Sequence, residues 1–368
     1  MNAFIFLPIW CGIVFLFAKM ANFSKTEVVG EVAVSRRPIW FAIIAFLPIF
    51  LIATIAEPCA DTIAYLFRFN NASSLFSSVN FSENGWGFTI FTVVIKKLFG
   101  NNELVFRIAI ALIQTIPVVF VFRKYSDNYI TTLFIFVASA TYLSWMMNGL
   151  RQFMAVAIIM LSVPLLLKKK YVGVCLLILL ATTIHQSAIV MLPIVFIAQG
   201  KIFNKSTLFF ILVSIVAMGL FGLDSDLFET AISDTDYGLG YDSVKDIDDG
   251  INPMRVLVNA VPVVLAILCK DQLKEQDDKI TNICINMSII TLGVSFVAMV
   301  TSGIYVGRLI IYTQLFGFII LPKLINVTFN KRSRTIVYLV MIAMYLIYYK
   351  QELGNYFYYD LDIIGGLR

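Results

Sequence analysis

His185 is the only histidine in the chain, and it interrupts an apolar run as Ala181-Thr182-Thr183-Ile184-His185-Gln186-Ser187-Ala188. A neutral imidazole can take a proton from a hydroxyl near pH 7; the competing reading is a polar group capping a helix end. A second interruption lies upstream, Asn148-Gly149-Leu150-Arg151-Gln152. An arginine at a helix start favours phosphate oxygens twice, through unpaired backbone N–H groups and through the guanidinium fork. Arg255 and Arg308 occupy similar helix-start positions. A single arginine there could simply reach lipid headgroups, but three on a face that disfavours basic residues point to a shared task. Glu57 and Asp61 are rival bases, since a partly dry site raises a carboxylate's pKa; equally, they could pair with Arg68 or another arginine. Tyr65, Gln152 and Tyr305 complete the polar set.

The elements that hold these groups belong to a membrane. Hydrophobic residues make up 60% of the chain and charged ones 14%, with a mean hydropathy of +0.87, which places the chain in the membrane class. Spanning candidates need about 20 apolar residues. They fall at 3–18, 38–56, 104–122, 129–147, 151–167, 207–222, 253–269, 281–301, 308–325 and 335–349. The first has no basic n-region and no small-x-small cleavage site, so it reads as a retained helix.

Charge settles the ambiguous stretch 171–199. As one helix its roughly 28 residues would reach about 42 Å, more than a bilayer core of about 30 Å. As two helices turning at His185, it places 18 of the 28 basic residues on one side, among them Arg36, Arg37, Arg123, Lys124, Lys168–Lys170, Lys201, Lys270 and Lys323. The opposite side receives the segment 223–252, with nine acidic residues and one basic, Lys245. The basic side is therefore cytoplasmic. The run 86–99, with Lys96 and Lys97, breaks this pattern as a full span and reads as a re-entrant or interfacial element on the outer side. The expectation is an all-α polytopic bundle of about twelve transmembrane helices in a single membrane domain, residues 1–368, with external loops at 57–85 and 223–252. Internal prolines at 48, 117, 164 and 262 are expected to kink helices.

Several chemistries lack support. The five cysteines show no metal-ligand spacing, and four sit in apolar stretches as small core residues. Asp246, Asp248, Asp249 and Gly250 faintly resemble a calcium loop, but Lys245 and Ile247 break its spacing. No Walker A, GxGxxG or GxSxG motif is present. No cofactor, no metal and no nucleic-acid partner is expected.

The run from Asn148 to Gln152, the Lys168-Lys169-Lys170 turn and the segment around His185 together resemble the core of EpsG-type, Wzy-like polysaccharide polymerases. Asp61-x-x-x-Tyr65 and Gly307-Arg308 are similar to weaker landmarks of that family. The Arg-x10-Gly loops of some Wzy polymerases are absent at Arg68, Arg151, Arg255 and Arg308. The resemblance implies a GT-C-like glycosyltransferase of the bacterial cytoplasmic membrane with its site facing outward. Its donor and acceptor would be oligosaccharides on undecaprenyl diphosphate, in O-antigen, capsule or exopolysaccharide synthesis, and its partners a flippase and a chain-length regulator. On that reading Arg151, Arg255, Arg308, Gln152, Glu57 and Tyr65 bind the substrate or its diphosphate, and His185 or Asp61 is the base. A flippase for lipid-linked sugars and a membrane glycan acyltransferase are the alternatives. The first would want charge at mid-depth, whereas the ionisable groups here gather at one face.

Overall fold

The computed structural model describes residues 3–21, 24–29, 32–56, 58, 61–223, 227–228, 230 and 250–356. Glu57 and almost all of the acidic segment 223–252, including Asp246, Asp248 and Asp249, lie outside the described residues. The chain is a multi-pass helical membrane protein. Among the described residues six helices are long and apolar enough to cross a bilayer, or up to eight when each bent pair counts as one span. Four shorter apolar helices, among them Ile39–Ile55 and Tyr171–Ile184, complete the set. Cα packing divides the chain into two compact units, Met1–Ile189 with Leu339–Arg368, and Val190–Tyr338.

The first unit begins with α1 (Ala3–Ala21), a hairpin of β1 (Lys25–Val29) and β2 (Val32–Arg36), and α2 (Ile39–Ile55). The hairpin is antiparallel, with Lys25 opposite Arg36 and Val29 opposite Val32. Next come α3 (Asp61–Asn71), α4 (Trp86–Phe99), α5 (Glu103–Tyr125), α6 (Tyr129–Ala138), α7 (Thr141–Asn148), α8 (Leu150–Met160), α9 (Val163–Leu167) and α10 (Tyr171–Ile184). Asparagines start two of these: Asn102 Oδ1 accepts from Val105 N at 3.1 Å, and Asn128 Oδ1 from Thr131 N at 3.3 Å. Between α6 and α7 the chain bends by 69° at Ala140, whose φ of +54° only a tightly packed site would hold in a non-glycine residue. Pro164 sits in the first turn of α9, just past the interruption that ends α8.

Basic segments meet at one end of this unit. Arg36 donates to Ser126 O, Arg37 to Ala18 O at 3.4 Å, and Arg123 Nε to Arg37 O at 2.7 Å. Two of these acceptors, Ala18 O and Ser126 O, lie where α1 and α5 stop. The basic segments at 36–37 and 123 thus come together in space. At the other end, α3, α4, α5, α8 and α10 share a core of Leu66, Phe69, Phe88, Ile95, Phe106, Ile110, Leu150, Met154 and Ile184. Phe69 and Phe106 stack there at 4.3 Å between ring centroids. Lys96 of α4 donates to Phe69 O and Asn70 O, both at 2.8 Å, and so caps the end of α3. That is why so short an apolar run carries a lysine.

The second unit contains α11 (Met191–Ile197), α12 (Lys205–Leu223), α13 (Pro253–Leu268), α14 (Lys270–Gln276), α15 (Lys279–Val300) and α16 (Ile311–Thr328). The last helix, α17 (Lys331–Tyr356), starts here and ends in the first unit. The span containing α16 is 83% buried and that of α15 is 72%, against 11% for α12, so α15 and α16 are central and α12 faces lipid. Buried polar side chains tie the centre together. Gln314 Nε2 donates to Asn259 Oδ1 at 2.7 Å, Asn259 Nδ2 to Ser295 Oγ at 2.9 Å, and Thr291 Oγ1 to Thr313 Oγ1 at 2.8 Å. At its basic end, Lys323 pairs with Asp278 at 3.0 Å and Lys201 with Asp277 at 3.9 Å. Burial alone would raise the Asp278 pKa. The Thr281 hydroxyl and backbone N–H, with the Lys323 ammonium, outweigh burial and hold it below the ordinary value.

Candidate functional site

The polar interruption at 148–152 separates α7 from α8, and its pivot is Gly149, at φ −107° and ψ 45°. A Cβ there would lie 2.1 Å from Trp145 Cε3, so the turn closes on the indole only because the residue is glycine. The last carbonyls of a helix lack intrahelical partners. Here side chains from other helices meet them: Thr62 donates to Met147 O, and Gln114 Nε2 to Met146 O at 3.3 Å. Asn148 Oδ1 accepts from the backbone N–H of Asp61 at 3.1 Å. The first turn of α3, with Asp61 and Tyr65, is thereby docked on the break that presents Arg151.

Arg151 follows at the second position of α8. Its Nε donates to Tyr65 Oη at 3.0 Å, and its Cζ lies 5.6 Å from the Tyr65 ring centroid and 5.9 Å from that of Phe88. Two aromatic faces and a phenol therefore fix the plane of the guanidinium. Among the described residues Tyr65 is its one hydrogen-bond partner, which leaves the two Nη groups to other acceptors. Gly85, at φ +86°, caps the start of α4 against this group: a Cβ there would lie 2.6 Å from Arg151 Nη1. A Cβ on Gly87 would fall 2.1 Å from Thr183 Oγ1. Gly85-Trp86-Gly87 thus lets α4 pack its N-terminus between Arg151 and the end of α10.

That end is His185, the C-cap of α10, whose N–H donates to Ala181 O at 2.9 Å. The imidazole is half-buried, with Nδ1 2.8 Å from Ser187 Oγ. Gln152 Nε2 donates to the same Ser187 Oγ at 3.4 Å, and both Gln152 and Ser187 are buried. The two interruptions of the sequence are therefore joined by a chain of hydrogen bonds, His185–Ser187–Gln152, next to Arg151. If Nδ1 carries the proton and gives it to Ser187, the Ser187 oxygen accepts from both neighbours and Nε2 keeps its lone pair.

Arg255 and Arg308 belong to the second unit. Asn252 Oδ1 accepts from Met254 N at 2.8 Å and Pro253 opens α13, which sets Arg255 in the first turn. Arg308 is exposed, in the short 3-10 turn Gly307–Ile310 ahead of α16. Ile251 joins the two: its N–H donates to Ala298 O at 3.0 Å, and a Cβ on Gly307 would lie 2.7 Å from its Cγ2. The two arginine-bearing helix starts therefore share one end of that unit.

Of the expected site residues, Asp61, Tyr65, Arg151, Gln152 and His185 come together in the first unit, Arg255 and Arg308 in the second, and Glu57 lies outside the described residues. Sequence reasoning passed over Thr62, Gln114, Ser187's linking role and the Gly85-Trp86-Gly87 corner. Glu352 was also missed, a wholly buried carboxylate near the end of α17; an acid inside a membrane helix is the signal that marks it. Among the described residues no three His, Cys, Asp or Glu side chains gather as a metal cradle. No curated protein and no solved structure matches the chain. The model of the EpsG family matches residues 39–356, most of the length, and the chain belongs to the EpsG family.

Proposed function

We propose that this chain is a polysaccharide polymerase that transfers a growing glycan from a lipid diphosphate to the sugar of an incoming lipid-linked repeat unit. Membership of the EpsG family supports a polysaccharide polymerase-type function in general. The finer reading rests on one observation, the guanidinium of Arg151, clamped through Nε and both aromatic faces while its Nη fork is left to other acceptors.

In the proposed reaction an acceptor hydroxyl attacks the anomeric carbon of the donor. The new C–O bond forms as the bond to the diphosphate breaks, and the diphosphate leaves with the electron pair. Charge builds on that leaving group, so a positioned arginine and the N–H groups of a helix start lower the barrier. The hydroxyl proton goes to a base. His185 fits that task in the tautomer that holds its proton on Nδ1 towards Ser187, since Nε2 is then the basic nitrogen. Asp61, one turn before Tyr65, is the rival base. Arg255 and Arg308, which share one end of the second unit, are read as diphosphate-binding groups in their own right. The reaction is assigned to the outer face of the cytoplasmic membrane, because the site lies at the ends of α2, α7, α8 and α10 remote from the basic clusters.

The test is turnover of a purified lipid-linked repeat unit with no acyl donor present. Ladders of longer lipid-linked glycan are expected from the parent chain and are expected to vanish in Arg151→Ala and Arg308→Ala. Long polymer from both variants at normal expression would refute the site. In cells, single repeat units exported after gene loss support the polymerase, whereas units trapped inside identify a flippase. No chain growth in that assay, with acylated glycan formed only when an acyl donor is added, would identify an acyltransferase.

A further inference from the structure

Gln114 lies in the middle of α5 and is wholly buried. Thr115 is the only other polar side chain between Ile108 and Val121. Gln114 Nε2 donates to Met146 O and to Leu150 O, each at 3.3 Å. The first carbonyl belongs to the last turn of α7 and the second to the first residue of α8, so one side chain straddles the Gly149 break. The Gln114 carbonyl oxygen is buried and without a hydrogen-bond partner among the described residues. An unmet buried acceptor costs stability, and an apolar side chain of similar size would avoid the cost. Turning the amide over is no remedy, because its oxygen would then face two carbonyls. The glutamine is thus worth keeping only for its nitrogen.

A cavity of about 10 Å³, the space of about one water, lies against the same residues, lined by Gln114, Thr62, Tyr65, Met146, Met147 and Leu150 among others. Met146 and Leu150, whose carbonyls Gln114 grips, both border it. Leu150 immediately precedes Arg151, so a shift of its carbonyl re-aims the guanidinium.

We propose that Gln114 is a positioning residue that fixes the geometry of the Gly149 break and so aims Arg151. The proposal rests on the reading of Arg151 as the diphosphate-binding group. It is tested with Gln114→Leu and the near-isosteric Gln114→Met in the full-length protein. Gln114→Leu is expected to cut the chain-elongation rate about tenfold in the parent background, with expression and melting temperature maintained. In an Arg151→Lys background, where no fork is left to aim, the same change is expected to cost less than about twofold. Equal losses in both backgrounds would overturn the proposal.

A second readout needs no turnover. Trp145 packs on Gly149, and with Trp10, Trp40 and Trp86 replaced by phenylalanine it is the only tryptophan of the four. Its emission should move in Gln114→Leu and Gln114→Met and stay put in Arg151→Lys. If Trp145 emission is unchanged in both glutamine variants, the proposal fails even where activity falls. If emission moves while Arg151→Ala and Arg151→Lys elongate chains like the parent, the reading of Arg151 fails and the role of Gln114 in the break survives.

Discussion

Tyr65 and Arg151, 86 residues apart in the chain, meet through a hydrogen bond of 3.0 Å from Arg151 Nε to Tyr65 Oη. The bond uses the one guanidinium nitrogen that lies away from the fork, so it orients the group without occupying the face that would grip a diphosphate. Lysine cannot reproduce this, having neither a plane to stack nor a fork. Arg151→Lys is therefore expected to lower elongation by about 10²–10³-fold, in the range of a lost oxyanion donor. Tyr65→Phe keeps the ring and removes only the acceptor, and about a tenfold loss is expected. Rates of elongation normalised to protein in the membrane check both; a Tyr65→Phe loss as large as that of Arg151→Lys would mean that the phenol itself meets the substrate.

His185 is the proposed base, and its neighbours supply the test. His185→Ala is expected to lower the elongation rate by about 10²–10⁴-fold with little change in donor binding. Ser187→Ala removes the partner of Nδ1 at 2.8 Å, and Gln152→Leu removes the amide that donates to that serine. Each should cost less than His185→Ala and should add nothing in its background, because all three act through one imidazole. Elongation by His185→Ala at the parent rate would move the role of base to Asp61.

Much of this site was legible before any coordinates. Asn148-Gly149 marked a break, and Arg151 and His185 stood out because polar groups in apolar runs are costly. Charge counting then turned 171–199 into two short helices, and α10 does end at Ile184 with His185 as its cap. What the chain order hides is which polar group meets which. Nothing in the spacing of Asp61 and Asn148 says that a backbone N–H of one finds the side chain of the other, since the two are joined through α5 and the shared aromatic core. Gln114 was invisible for the opposite reason: one amide in an apolar helix looks like a tolerated defect until its two carbonyl partners are known. The run 86–99 showed its unusual lysines but not their use, because the cap on α3 depends on tertiary packing.

The corner Gly85-Trp86-Gly87 separates stability from aim. A Cβ on Gly87 would sit 2.1 Å from Thr183 Oγ1 and 2.9 Å from Thr183 O, and the backbone cannot swing aside as a side-chain tip can. Gly87→Ala is expected to destabilise the protein by about 1–3 kcal/mol. At Gly85 the nearest obstacle is Arg151 Nη1, the far end of a flexible side chain, while the φ of +86° adds left-handed strain of about 1 kcal/mol. Gly85→Ala should thus lose no more stability than Gly87→Ala and yet elongate more poorly than that loss explains. Thermal melting in detergent alongside elongation rates distinguishes the two; a Gly85→Ala protein as active as the parent would show that Arg151 works from another rotamer.

Asp278 and Lys323 tie the start of α15 to α16 at the basic end of the second unit, and their pairing sets an acid limit. The folded-state pKa of Asp278 is held below the ordinary carboxylate value by Thr281 and Lys323 despite burial. A carboxyl depressed in this way contributes stability above its unfolded pKa, near 3.8, and the contribution is lost as pH falls through the folded value. The Asp278 side chain is 40% exposed, so the effect is screened and should stay under about 1 kcal/mol. Melting temperature followed from pH 6 downward should therefore fall less steeply below about pH 4 in Asp278→Asn than in the parent. Lys323→Met should likewise flatten the decline, since the remaining carboxylate then titrates nearer its unfolded value and the two states take up the proton together. If both variants trace the parent's acid profile, the ion pair carries no stability, and the Asn282 side chain, which donates to Asp277 at 2.9 Å, becomes the contact that orders this end of α15.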